Sequence, residues 1–215
     1  MNSTPDQLMP DFRGFRIATE RELEELQRNE AEKVRRRAVE SARRGWSVPE
    51  RHFAATVRFD GPWAQKLAII RGGLGKGSTW ALCGTRGNGK TQLAVQAMIE
   101  TTADGRPALY TSAVRFFATL KATYRKDAKE TELQVIDAHR KPSLLVIDEI
   151  GKRGETVWEG NLLFELLNNR YADRTDTIVI ANLSPQDLAE SLGPSITSRL
   201  NETGGIIHCD WPSRR

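Results

Sequence analysis

From Ser47 onward the apolar positions fall into short blocks separated by longer amphipathic stretches. Thr79–Cys83 is a short apolar run, followed by a glycine-rich loop and an amphipathic stretch, Thr91–Thr101, that ends near Gly105. Ala108–Thr111 reads as a second strand, and Ser112–Tyr124 as a helix with Val114, Phe117, Leu120 and Ala122 mostly on one side. Leu144–Ile147 is apolar throughout, as expected when both faces of a parallel sheet are covered. Asn161–Tyr171 is helical and Thr177–Ala181 is a fourth strand. Ser184-Pro185 opens a further helix, with the serine as cap and the proline in the first turn, and Ile206–Cys209 supplies a fifth strand. Strands spaced by helix-length segments predict right-handed crossovers and an α/β, doubly wound, parallel five-stranded sheet.

The segment ahead of Ser47 has a different texture. Thr19 to Arg44 is dominated by Glu and Arg, with Leu23, Leu26, Val34 and Ala38 as sparse apolar points. Thr19 and Glu22 form a capping-box pattern, in which each side chain satisfies the other's free backbone N–H. Glu24/Arg28, Glu32/Arg36 and Glu40/Arg44 stand at i,i+4 in the favourable acid-first order. A long, mostly exposed helix is expected, ended by Gly45 and Pro49, with too little apolar surface to fold alone. It is either a solvated face or a handle for another protein; its narrow stripe and the Arg35-Arg36-Arg37 cluster weigh towards the handle. The domain reading is therefore a charged helical extension over residues 1–47 and a single α/β domain over 48–215.

Composition narrows this only slightly. A mean hydropathy of −0.51 over 215 residues fits a solvated segment attached to an ordinary core. A net charge of +4 permits an anionic partner without demanding one. Cys83 and Cys209 form no C-x-x-C pair and share no ligand spacing with His52, His139 or His208, so no structural zinc site is expected. No apolar run approaches the roughly 20 residues that span a bilayer, and Met1–Asp11 lacks the pattern of a secretory signal. A cytoplasmic protein without a membrane partner is expected.

The chemistry lies in Gly84-Thr85-Arg86-Gly87-Asn88-Gly89-Lys90-Thr91, a full G-x-x-x-x-G-K-[ST] loop between a strand and a helix. Gly84 and Gly89 let the backbone turn so that its N–H groups face phosphate oxygens. Lys90 brings positive charge to the β- and γ-phosphates of ATP, the Thr91 hydroxyl is a ligand for Mg²⁺, and the helix adds its N-terminal dipole. Nucleotide contacts are expected over Gly84, Thr85, Arg86, Gly87, Asn88, Gly89, Lys90, Thr91 and Gln92. The upstream cluster Gly72-Gly73-Leu74-Gly75-Lys76-Gly77 precedes a strand instead of following one and reads as a flexible loop. The strand Leu144–Ile147 runs into Asp148 and Glu149. There Asp148 would hold Mg²⁺, and Glu149 would act as general base on the attacking water. Asn182, ending the fourth strand, either orients water beside the γ-phosphate or makes a local turn.

The order of glycine loop, Asp148-Glu149, Asn182 and Ser198-Arg199-Leu200 resembles the AAA+ ATPases. Within them the chain is most similar to DnaC-type helicase loaders and IstB-type transposition ATPases, through LLVIDEIGK (Leu144–Lys152), LLFELLNNRY (Leu162–Tyr171), TIVIANL (Thr177–Leu183), LGPSITSRL (Leu192–Leu200) and the closing Asp210-Trp211-Pro212-Ser213-Arg214. The resemblance implies Asn182 as first sensor of the γ-phosphate and Arg199 as an arginine finger reaching the ATP of a neighbouring subunit, hence a homo-oligomer. Arg199 alone could equally be a solvated helix arginine, and Arg170 is either structural or close to the same interface. Little follows the fifth strand, so no helical lid is expected, and Arg214 and Arg215 are weak candidates for a second sensor. Loaders of this type hold single-stranded DNA and a replicative ring helicase in the cytoplasm of a bacterial or phage-infected cell. Gly151–Trp158 suits a strand-contacting element, or equally a charged loop whose Trp158 packs inward. The runner-up is an IstB-type transposase helper acting on duplex DNA.

Overall fold

In the computed structural model, which describes residues 19–54, 61–152 and 156–211, the chain divides into two units, Met1–Val34 and Arg35–Arg215. The first carries the opening turns of α1 (Glu20–Arg43). The capping box forms: Thr19 N donates to Glu22 Oε2 at 2.9 Å and Glu22 N to Thr19 Oγ1 at 3.3 Å. Leu23, Leu26 and Val34 stay exposed. Among the described residues, the ion pairs within α1 include Arg21–Glu25, Lys33–Glu30 and Arg43–Glu40, and the three i,i+4 pairs expected do not form. These long side chains are solvated, and such pairs contribute a few tenths of a kcal/mol, about 0.3–0.5, too little to choose among partners.

In the second unit the end of α1 joins a core. Val39 and Ala42 pack beside the buried Trp46, which stacks on Phe53 of α2 (Arg51–Ala54) with ring centroids 6.0 Å apart. The remaining elements are α3 (Gly61–Gly73), β1 (Thr79–Cys83), α4 (Lys90–Ala103), β2 (Ala108–Ser112), α5 (Ala113–Ala122), α6 (Glu132–Arg140), β3 (Leu144–Asp148), a 3₁₀ turn at Ile150–Lys152, α7 (Val157–Ala172), β4 (Asp176–Ile180), α8 (Pro185–Thr203) and β5 (Gly205–His208).

The five strands form one parallel sheet in the order β2-β3-β4-β1-β5. Every residue of β1, β3 and β4 is buried, and side chains alternate between two cores. Trp80, Leu82, Leu144, Val146, Ile178 and Ile180 face the layer that holds α3 and α4. Ala81, Cys83, Leu145, Ile147, Val179 and Ala181 face the layer of α5 to α8. This is the doubly wound parallel sheet expected. Helices α3 and α6 were not expected. α3 is legible afterwards as Trp63, Leu67 and Ile70 at i, i+4, i+7, whereas α6 buries only Val135. On α5 the structure corrects two positions: Val114 and Ala122 are exposed, and Phe116 fills the core beside Phe117 and Leu120. α8 is broken at Gly193 (φ 80°), where Pro194 opens its second half.

At the amino ends of the strands, backbone groups that lack ladder partners need others. Asp176, 1% exposed, accepts from the N–H groups of Gly75, Gly77 (3.0 Å) and Ser78 (3.0 Å) just before β1. The cluster Gly72–Gly77 is therefore tied down around a carboxylate and is not the flexible loop expected. Arg170, fully buried, donates to Thr177 Oγ1 (2.9 Å), to the carbonyls of His139 (3.1 Å), Arg140 (2.6 Å) and Pro142 (2.9 Å), and to that of Asp176. Its role is structural: one guanidinium ties the end of α6 to the starts of β3 and β4.

Candidate active site

Chemistry gathers at the opposite, carboxyl ends of the strands. The chain leaves β1 through Gly84 (φ 123°), Gly87 (φ 92°) and Gly89 (φ 76°), backbone conformations that favour glycine. At Gly84 a Cβ would also lie 2.4 Å from the Cys209 carbonyl oxygen, so packing as well as backbone conformation requires glycine there. Gly84 N donates to Leu183 O at 2.9 Å, tying the loop's start to the segment after β4. Lys90 is buried at the start of α4, and its ammonium donates to the carbonyls of Gly84 (2.8 Å) and Thr85 (2.6 Å). Burial holds the Lys90 pKa below its ordinary value, against the pull of the neighbouring Cys209, Asp148 and Cys83.

β3 carries Asp148, 6% exposed, to the other side of the loop. Its Oδ2 accepts from Thr91 Oγ1 at 2.8 Å and from Tyr110 Oη at 2.9 Å, and its Oδ1 from Glu149 N at 2.7 Å. The two residues expected to hold Mg²⁺ are thus in direct contact. One carboxylate and one hydroxyl suit a cation that takes its other ligands from phosphates and water. Among the described residues no group of three or more His, Cys, Asp or Glu could hold a metal by itself. Glu149 adopts φ 58°, a conformation non-glycine residues enter at a cost of about 1–3 kcal/mol and mostly at functional positions.

Asn182 is exposed and follows β4. Because β4 lies between β3 and β1, Asn182 stands between the Asp148 strand and the phosphate loop. Thr85 and Arg86 are exposed, and Gln92 is half-buried in the first turn of α4. Asn88 is turned the other way: it is buried, and its amide donates to the carbonyls of Cys209 (2.7 Å) and Trp211 (2.9 Å). Arg199 keeps to α7 and α8. It lies over the rings of Tyr171 (5.3 Å) and Phe164 (5.7 Å) and donates to Ser195 Oγ at 3.2 Å. Those helices cover the sheet face opposite α4, so Arg199 has no partner in its own phosphate loop among the described residues. Trp158 packs inward against Phe117 and Tyr124, with the Lys121 ammonium over its ring, while residues 153–155, like Arg214 and Arg215, lie outside the described residues.

Sequence reasoning missed Tyr110, whose hydroxyl bonds directly to Asp148. Burial, then the adjoining Asp148 carboxylate, pushes its pKa up, so it stays a hydrogen-bond donor. A polar-tipped aromatic one register step from the end of an apolar strand was the available signal. Trp211 was missed too: its indole Nε1 donates to Asn88 O at 2.8 Å.

Comparison with known proteins bears on this arrangement. The profile of the family described as IstB-like ATP binding protein matches residues 20–199. The replicative helicase loader DnaC of Escherichia coli (strain K12) is 24% identical over 139 residues, 64% of this chain and 56% of its own length. The insertion sequence IS21 putative ATP-binding protein of Pseudomonas aeruginosa is 31% identical over 115 residues, 54% of this chain and 42% of its own. The chain thus spans about half the length of these curated relatives. A crystal structure of the DnaC helicase loader shares the fold with a TM-score of 0.64 at 21% identity, covering 74% of this chain and 99% of that one.

Proposed function

The chain belongs to the IstB-like ATP-binding protein family, and on that premise we propose that it is an Mg²⁺-dependent ATPase of DNA replication that places a replicative ring helicase on single-stranded DNA. The observation that carries the ATPase reading is the 2.8 Å contact of Thr91 with Asp148 across a glycine loop that ends in a buried lysine. In this reading the loop N–H groups and Lys90 hold the β- and γ-phosphates, with Thr91 and Asp148 as ligands of the cation. When bound, Mg²⁺ offsets negative charge on the phosphates. Glu149 takes the proton of the attacking water, and Asn182 orients that water. Arg199 acts on the nucleotide of a neighbouring copy, which accords with its partners on α7 and α8.

The loader assignment is supported by DnaC relatives aligning over more of the chain than the IS21 protein does. Residues 1–47 serve as the helicase handle in this reading, with Leu23, Leu26 and Val34 as exposed apolar points. The setting is the bacterial cytoplasm; no helix among the described residues is long and apolar enough to cross a membrane. A second reading, a transposase helper on duplex DNA, is favoured by the 31% identity to the IS21 protein.

The test is ATP turnover with and without single-stranded DNA, together with co-purification with a replicative ring helicase with and without ATP. Glu149→Gln should lower kcat by about 10²–10⁴ while nucleotide still binds; unchanged turnover removes the general-base assignment. Mixing Arg199→Ala with Lys90→Ala chains should restore part of the lost activity, and failure to do so removes the between-subunit role. ATP-dependent retention on duplex DNA without helicase capture selects the helper instead.

A further inference from the structure

A phosphate loop binds well only if its peptide planes already face the right way. The carbonyl of Asn88 and the N–H of Gly89 belong to one trans peptide and so point in opposite directions. Trp211 donates its indole N–H to that carbonyl at 2.8 Å, from outside the loop. The bond therefore sets the direction in which Gly89 presents its N–H on the inside. A second indole, Trp63 Nε1, reaches the next carbonyl, Gly89 O, at 3.5 Å.

The contact is reciprocal. Both amide hydrogens of Asn88 are spent on the carbonyls of Cys209 and Trp211, and its Oδ1 accepts from Thr85 Oγ1 at 3.1 Å. The other end of the loop rests on the same segment: Cys209 N donates to Cys83 O at 2.9 Å, and Gly84 has no room for a side chain beside Cys209 O. All three contact points are buried, with Asn88 2%, Cys209 0% and Trp211 8% exposed. The three-residue segment after β5 thus braces both ends of the loop.

We propose that Asn88 and Trp211 are positioning residues that preset the phosphate loop for nucleotide, acting through the Asn88–Gly89 peptide without touching phosphate. The inference rests on the ATP-binding reading of that loop. Asn88 is then not the ligand residue its place in the motif suggests: its side chain serves the loop's shape. Losing the brace lets the loop sample other peptide orientations before binding, which weakens capture of nucleotide. Once the site is full the phosphates themselves order the loop, so turnover at saturation is preserved.

The test uses the full chain, with a fluorescent ADP analogue and Mg²⁺ titrated for Kd, steady-state turnover for KM and kcat, and thermal unfolding without nucleotide. Trp211→Phe deletes the indole N–H and keeps an aromatic ring; Asn88→Thr deletes both amide donors in case the first variant folds poorly. Trp211→Phe should raise Kd and KM about tenfold, the weight of roughly one lost hydrogen bond, and Asn88→Thr by at least as much, each with kcat within about twofold of the parent. Thr131→Ala, which removes the cap of the distant α6, supplies the control: a lower Tm with unchanged Kd. If Trp211→Phe and Asn88→Thr lower Tm as that control does and bind the analogue like the parent, the brace is structural only and the inference falls. If the parent fails to bind, or Lys90→Ala binds equally well, the phosphate-loop reading itself is wrong and takes the inference with it.

Discussion

Replacing Arg170 by methionine keeps a stem of similar length and deletes the guanidinium at the amino end of the sheet. Five acceptors lose their donor: Thr177 Oγ1 and the carbonyls of His139, Arg140, Pro142 and Asp176. An orphaned buried acceptor costs about 1–3 kcal/mol, which puts the gross loss near ~8 kcal/mol. Against this stands the relief of no longer burying a cation. Burial draws the Arg170 pKa well down from its ordinary value, to about 10, still charged at neutral pH, and that shift corresponds to about 3 kcal/mol. The net expectation is a loss of about 5 kcal/mol, at the upper end of what breaking a buried charged network costs. For a chain of this size that lowers Tm by about 10–20 °C. Urea unfolding followed by far-UV circular dichroism measures it, with a lower midpoint and an unchanged slope. A loss under about 1 kcal/mol would refute the reasoning, because it would mean that water already serves those carbonyls. Nucleotide affinity lost at full stability would return Arg170 to the interface role.

Three further outcomes are expected. Burial holds the His139 imidazole below its ordinary 6.5, with Arg170 and Arg115 adding to the effect and its bond to Val135 O and the charge of Glu130 opposing it. Above 6.5 the ring is neutral in both states; as pH falls the unfolded chain takes up the proton first, so stability declines from 6.5 down to the lowered folded value. His139→Gln should flatten that acid limb of a denaturation series, and an unaltered limb counts against the assignment. Gly204→Ala would set a Cβ 2.2 Å from Thr79 O, backbone that cannot yield, and should cost about 3 kcal/mol in chemical denaturation. Gly84→Ala meets both an unfavourable φ of 123° and the Cys209 carbonyl, and should abolish nucleotide binding in a fluorescence titration; retained binding would show that the loop can shift as a unit.

What was legible in the sequence was what local spacing encodes. The glycine loop, the apolar strand running into Asp148 and Glu149, and the Ser184-Pro185 helix start are each written within a dozen residues, and each forms where expected. The residues that support them come from far along the chain. Tyr110 meets Asp148 across 38 residues and Trp211 meets Asn88 across 123, distances at which no periodicity speaks. Arg170 is the intermediate case. Leu163, Leu166 and Leu167 put the buried stripe of α7 on its position, so a charged residue there was a visible anomaly whose partners only the fold could supply. The expected ion pairs on α1 failed for the opposite reason: solvated side chains have too little at stake for spacing to decide.

The turn around Asp176 has a consequence for how this sheet handles negative charge. Successive backbone N–H groups in a glycine-rich turn make a concavity that attracts anions. Among the described residues, a glycine-rich turn of this kind stands at each end of β1. At Gly75–Ser78 the protein fills the concavity with a carboxylate of its own, which lies in the interior and cannot leave. At Gly84–Thr91 the loop carries no acid of its own, so on the proposed reading the second concavity is left to a phosphate from solution. On the proposed ATPase reading, the Asp176 carboxylate is a built-in counterpart of the phosphate taken at the other end of the strand.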